Sequence, residues 1–400
     1  LLQDNGIVVY PQDGSGITSE VSTLVISSAI EESNPDIVNA KLLGIKVKKR
    51  GELLSEIANS RRTIAIAGTN GKSTTTAITA FILNRCCIDA EFINGAEFKN
   101  GFPGSASGAE YFLGDKNALF ICETDESDGS IDLINPSYTI LTSIGTDHRD
   151  KDKILQHFVA IAERTSELVL YCGDFEEFCS VLSKISHPQT LSFGFSDNVT
   201  YKVEPLRLSD TGSVFRLNGR IYELNMLGLH NILNATGAVL LAEYLKADSL
   251  ALKDFPGIKR RLELVGTREG IPVYDDFAHN PDKIKAAVST LKHHYGRVLV
   301  IFQPHGYGPL KRFLDEFAEA FSIVLDQNDT LVLLPVYDAG GSADRTINSN
   351  ALAARIGSVP VLLSTKEQIP DVLCDIKTSC ICVLGARDPE LPIFARSICK

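Results

Sequence analysis

No run of apolar residues in this 400-residue chain approaches the ~18 needed to cross a bilayer, and no signal peptide is visible. A membrane span is therefore not expected. Basic residues are outnumbered, with Lys+Arg 39 against Asp+Glu 50 and a net charge of −11. That balance argues against a general nucleic-acid binder, which needs a basic surface. Nine cysteines are present but no CxxC pair, so no zinc site is expected and the thiols read as reduced, in keeping with a cytoplasmic enzyme. Internal repeats and low-complexity tracts are also missing. A hydrophobic share of 44% with 22% charged residues is ordinary for a globular protein. At this length two or three domains are the expectation.

Short apolar runs alternate with helical spacing along most of the chain. GIVVY (Gly6–Tyr10) and TLVISSAI (Thr23–Ile30) read as β-rich, and NPDIVNAKLLG (Asn34–Gly44) as a helix with Asn34 as N-cap and Pro35 at its first position. RTIAIAG, ALFICE, YTILTSI and ELVLYC read as buried strands. They are followed by a β-rich stretch over 199–224 and a helix over 231–245. A boundary is expected at DFPGIKRRLE (Asp254–Glu263), with VYDDF, RVLVIF, DTLVLLPV and CICVLG forming a further sheet beyond it. The fold class expected is α/β, with mostly parallel sheets.

The chemistry centres on AIAGTNGKSTTTA (Ala65–Ala77). Gly68, Thr69, Asn70, Gly71, Lys72, Ser73 and Thr74 form a loop one residue pair shorter than a strict Walker A spacing, yet it sits between a strand and a helix. Its glycines let backbone N–H groups approach phosphate oxygens, Lys72 reaches the outer phosphates and Ser73 can ligate Mg²⁺. Glu123, in ICETDESDGS, falls at an adjacent strand end, where a hard cation could take its carboxylate. His148, in SIGTDHRD, falls at a third. GLHNILNATGA places Asn231 and Asn234 on one helix face, either reading a base edge or, for Asn231, capping the helix. KRRLE supplies Arg261, and YDDFAHNPD supplies Asp276 and His279 to a cleft between domains.

In order, GTNGKST, ETDESD, GTDHRD, LHNILNA, GIKRRLE, DDFAHNPD, FQPHGYG and GARD make the chain resemble the Mur ligase family. These are ATP-dependent amide-bond ligases of peptidoglycan precursor synthesis, related to folylpolyglutamate and cyanophycin synthetases. SSAIEESNP, the E-x-D-E-S-D string, the DD-x-A-H loop and FQPH are most similar to the alanine-adding and tripeptide-adding branches, which act on UDP-N-acetylmuramate. Ala162 stands where other branches carry a carbamylated lysine.

The resemblance implies a three-domain architecture. Residues 1–58 would be the remainder of an N-terminal Rossmann-like domain that binds the UDP substrate, its glycine-rich start falling before this chain begins. Residues 59–257 would be a central P-loop ATPase domain and 258–400 a C-terminal Rossmann-like domain. It also implies ATP and two Mg²⁺ ions as cofactors. Lys72 and Ser73 would hold the outer phosphates, and Ser73, Glu123 and His148 would bind magnesium. Asn231 and Asn234 would face adenine, while Arg261 and Asp276 would complete the site and His279 would orient the amine. The partners implied are a UDP-linked sugar acid and an amino acid or peptide.

The family's alanine ligases read F-Q-P-H-R-Y-x-R, with two arginines that hold the substrate acid. Here those positions are Gly306 and Pro309, with Lys311 and Arg312 the nearby cations. A different acid and amine pair, or a catalytically weak nucleotide-binding homologue, are the alternatives this leaves.

Overall fold

A computed structural model describes residue 3 and residues 6–28, 30–101, 117–145, 151–186, 188–340 and 344–399. The expected α/β class is observed, as three sheets. The first is a parallel pair, Thr23–Ile26 with Lys46–Lys49, joined by helix Pro35–Leu42. Asn34 caps that helix, its side chain accepting from Asp36 N at 3.0 Å. GIVVY forms no strand: residues 7–10 take no regular structure and are exposed. Strand propensity needs a neighbouring strand to bond, and none pairs with it among the described residues.

The second sheet has nine strands, in the order Arg220–Leu224, Ser213–Leu217, Tyr201–Leu208, Gln189–Gly194, Leu168–Cys172, Tyr138–Leu141, Thr63–Ala67, Leu119–Glu123 and Ala90–Ile93. The last seven pair in parallel, and the first two add an antiparallel edge. Strand Thr63–Ala67 is buried along its whole length, as the continuous apolar run requires for a strand covered on both faces. Helix Lys72–Arg85 packs against helix Leu229–Tyr244. Every residue of the former from Ser73 to Leu83 is buried, which explains its weakly one-sided pattern. Fully buried Ile78 and Ile82 each contribute about 1.5–3 kcal/mol through apolar burial.

The third sheet has six strands, in the order Glu263–Arg268, Ile271–Asp276, Cys380–Leu384, Val298–Phe302, Thr330–Leu333 and Val361–Leu363. All but the first run parallel. The chain passes into it through residues 257–262, held by a bridge between Phe98 and Ile258. Lys99 N donates to Gly257 O at 3.0 Å and Lys259 N to Glu97 O at 2.7 Å. Arg260 and Leu262 there adopt left-handed φ of 57° and 46°, which is costly for side-chain-bearing residues. The carboxyl ends of both large sheets face the cleft described next, the usual ligand side of parallel sheets.

Candidate active site

Strand Thr63–Ala67 runs into the loop Gly68–Gly71, and helix Lys72–Arg85 starts directly after it. Gly68 and Gly71 have φ of 139° and 91°. A side chain at Gly68 would collide with Thr142 Oγ1, and one at Gly71 with Asn234 Oδ1. Both positions therefore need glycine. The loop is stitched to the end of strand Tyr138–Leu141. Thr69 N donates to Ser143 O at 3.0 Å, Asn70 N to Ser143 Oγ at 2.8 Å, and Gly145 N to Thr69 Oγ1 at 3.0 Å. Such bonding fixes the loop before any ligand arrives. The positive end of a 14-residue helix then points from it into the cleft.

Lys72 Nζ donates to Gly68 O at 2.7 Å and lies 3.2 Å from Asp125 Oδ2. Burial pulls its pKa down, but Asp125, Glu126 and Glu123 together outweigh this and raise it, so the ammonium stays charged. Burial works against the Asp125 carboxylate, and Lys72 with the Ser127 hydrogen bonds still holds it well below the usual range. Ser73 Oγ donates to Glu123 Oε2 at 3.1 Å, and Gly95 N donates to Glu123 Oε1 at 2.6 Å. This hydroxyl and carboxylate offer the oxygen donors that suit a Mg²⁺ ion bound mainly through phosphates. Among the described residues no group of three His, Cys, Asp or Glu could hold a metal by itself. His148 lies outside the described residues.

A cavity of about 240 Å³ opens over this loop. Thr69 to Thr74 and Glu123 form its floor, and helix Leu229–Tyr244 contributes His230, Asn231, Leu233 and Asn234. Asn231 is not the helix cap; Gly228 precedes the helix. Instead Asn231 Nδ2 donates to Leu227 O at 2.8 Å, and Asn234 Nδ2 donates to Asn231 Oδ1 at 3.1 Å. Burial and then the nearby Arg261 hold the His230 imidazole neutral, down at about 4. Phe175 and Leu233 add apolar wall. Nothing in the sequence singles out Phe175, because its place follows only from the packing of helix Glu176–Leu182 onto the sheet.

The opposite wall comes from Arg261, in the segment entering the third sheet, from Asp276 at the end of strand Ile271–Asp276, and from Asp282, Lys283, Ala286 and Ala287 on helix Pro281–Tyr295. Buried Asp276 accepts from Leu262 N at 2.6 Å and from Ala278 N at 2.7 Å. Burial raises its pKa, opposed by Arg261 and these backbone bonds. Beside it Arg260 Nε lies 3.2 Å from Asp275 Oδ2, and Arg260 Nη2 donates to Gly385 O at 2.7 Å. Arg261 stands over the Phe277 ring at 5.4 Å. Asn280 Nδ2 donates to Asn70 Oδ1 at 3.4 Å, joining the two walls.

His279 stands apart from this group. It does not line this cavity, because its Nδ1 is turned back to Phe277 O at 2.8 Å and its ring packs 4.8 Å from that of His305. Burial first, then Lys283 and His305, drive its pKa well below normal. Of the nearby cations, Lys311 is paired to Asp344 at 2.7 Å and Arg312 stands over Phe313.

Three consecutive matches to family descriptions cover most of the chain. They are "Mur ligase family, catalytic domain" over residues 1–62, "Mur ligase middle domain" over 66–242 and "Mur ligase, glutamate ligase domain" over 260–387. A UDP-N-acetylmuramate–L-alanine ligase of Desulforamulus reducens is 30% identical over 397 residues, 94% of this chain and 83% of that one. Among solved structures, the UDP-N-acetylmuramate-alanine ligase of Thermotoga maritima superposes with a TM-score of 0.75 at 24% identity, over 99% of this chain and 89% of that one. A murein peptide ligase of Psychrobacter arcticus gives 0.70 at 24% identity over the same shares. Every residue lining the cleft falls inside one of the three matched segments, and the chain belongs to the Mur ligase family.

Proposed function

We propose that this protein is an ATP-dependent ligase that joins the carboxylate of UDP-N-acetylmuramate to the amino group of L-alanine or a related amino acid or peptide. A carboxylate is a poor electrophile. Transfer of the γ-phosphoryl group from ATP turns it into an acyl phosphate, which the amine attacks to form the amide and release phosphate. The observation that carries this reading is the Ser73–Glu123 pair beside Lys72, on the floor of a cleft whose other wall is Arg261 and Asp276.

In this reading Lys72, freed from Gly68 O, moves onto the outer phosphates and offsets the charge that develops in transfer. Ser73 and Glu123 hold Mg²⁺, which neutralises phosphate charge. Asn231 and Asn234 stand beside the adenine, and Asp276 anchors the strand end that carries Arg261 to the nucleotide. His279, neutral and turned from the cavity, acts at most by orienting the amine. Membership of the family supports ATP as the nucleotide, and the name of the relative that matches 94% of the chain supports the substrate pair.

The test is phosphate release with ATP, Mg²⁺, UDP-N-acetylmuramate and a panel of amino acids. Release that needs both acid and amine is expected. Release that ignores both contradicts the reading.

A second reading, a different acid and amine pair, is favoured by one observation: Gly306 presents no side chain to the cleft side of the third sheet. The same amino-acid panel, repeated with other UDP-linked acids, decides between them.

A further inference from the structure

Strand Cys380–Leu384 lies at the centre of the third sheet, and its carboxyl end leads into Gly385, Ala386, Arg387 and Asp388. The backbone here is fixed on both sides of Arg387. Arg260 donates to Gly385 O at 2.7 Å and to Ala386 O at 3.1 Å. Asp388 is buried, pairs with Lys366 and accepts from Glu390 N at 2.8 Å. The Arg387 side chain itself is exposed and makes no hydrogen bond, ion pair or ring contact among the described residues. It is not a surface arginine remote from everything. A methyl group placed on Gly306 would come within 3.5 Å of Arg387 Nη1. The guanidinium therefore stands over the gap left by the missing side chain at 306.

A guanidinium is a planar fork that pairs two-pronged with carboxylates. Here its backbone is anchored, its charge is unspent and its side chain is exposed. The other cations near this gap are engaged, Lys311 with Asp344 and Arg312 with Phe313. Gly385 N donates to Asp276 O at 3.2 Å, so the strand end carrying Arg387 is bonded to the one that lines the nucleotide cavity. We propose that Arg387 is a substrate-binding residue that receives a substrate carboxylate over Gly306. The proposal rests on the acid–amine ligase reading above. It goes further by naming the group that would hold the oxyanion.

The carboxylate could belong to the sugar acid or to the amino acid, and steady-state kinetics of Arg387→Met separates the two. The expected result is a KM raised about 10- to 100-fold for one of them, with the KM for ATP unmoved and Arg387→Lys falling between. If the sugar acid is the partner, the KM for UDP-N-acetylmuramate moves. If the amino acid is, the KM for L-alanine moves, and the wild-type preference for L-alanine over L-alaninamide disappears in the variant. Inhibition by UDP-N-acetylglucosamine, which lacks the carboxyl group, should be the same in wild type and variant. A weakened inhibition would assign Arg387 to the diphosphate and overturn the proposal. Unchanged KM values for both substrates in an active variant would overturn it while leaving the ligase reading standing. A wild-type protein that shows no release dependent on acid and amine would overturn both.

Discussion

Ser73 Oγ and Glu123 Oε2 lie 3.1 Å apart, joined by a hydrogen bond between the first turn of one helix and the end of the neighbouring strand. Gly95 N holds the other carboxylate oxygen at 2.6 Å, so the pair is preset and needs no rearrangement to present two oxygens to a cation. Glu123→Gln keeps the shape and removes the charge. The expected outcome is an apparent Mg²⁺ requirement raised about 10-fold or more, by loss of a charged ligand. Titrating Mg²⁺ at saturating ATP checks it, and an unchanged requirement would remove Glu123 from the site.

Lys72 is held ready rather than left free, bonded to Gly68 O and paired with Asp125. Lys72→Ala should lower ADP production about 100-fold or more, the usual scale for removing a positioned charge from a developing one. Undiminished turnover would exclude Lys72 from phosphoryl transfer.

Gly71 combines a φ of 91° with an approach to Asn234 that leaves no room for a side chain. Gly71→Ala should cost about 1–3 kcal/mol in backbone strain and push Asn234 out of place. Thermal melts should then show both a lower midpoint and loss of the shift given by Mg·ADP. A variant that melts lower yet keeps the full nucleotide shift would show that nucleotide binding does not depend on the Gly71 conformation.

Burial holds the Asp275 carboxyl up at about 6, only partly countered by Arg260. The unfolded value is about 3.9, so the folded protein binds this proton more tightly. That stabilisation is complete below about pH 4 and is lost as pH rises through about 6. Asp275→Asn should remove a decline of roughly 3 kcal/mol across this window. Urea unfolding of both proteins at each end of the window measures it. Identical pH slopes would mean that Asp275 does not carry the proton.

The strand–loop–helix junction at Gly68–Gly71 was legible because its signal is local: a buried strand, two glycines and a helix in direct succession. Glu123 and Asp276 were legible because they fall at carboxyl ends of apolar runs. Strand Lys46–Lys49 was not, since KVKK is mostly charged and is recruited only by pairing with Thr23–Ile26. GIVVY failed in the opposite sense, having propensity without a partner strand. His279 sits on a motif loop, yet only the fold shows its ring turned toward Phe277 O and His305. Arg387 carries no helical or strand signal of its own. Its interest appears only when two strand ends far apart in sequence bring it over Gly306.

The most direct measurement follows oxygen rather than rate. UDP-N-acetylmuramate carrying ¹⁸O in its carboxylate is incubated with the protein, ATP, Mg²⁺ and L-alanine, and the released phosphate is weighed by mass spectrometry. An acyl-phosphate route leaves a carboxylate oxygen on the phosphate, so labelled phosphate and unlabelled ADP are predicted. Amide product accompanied by wholly unlabelled phosphate would contradict the account.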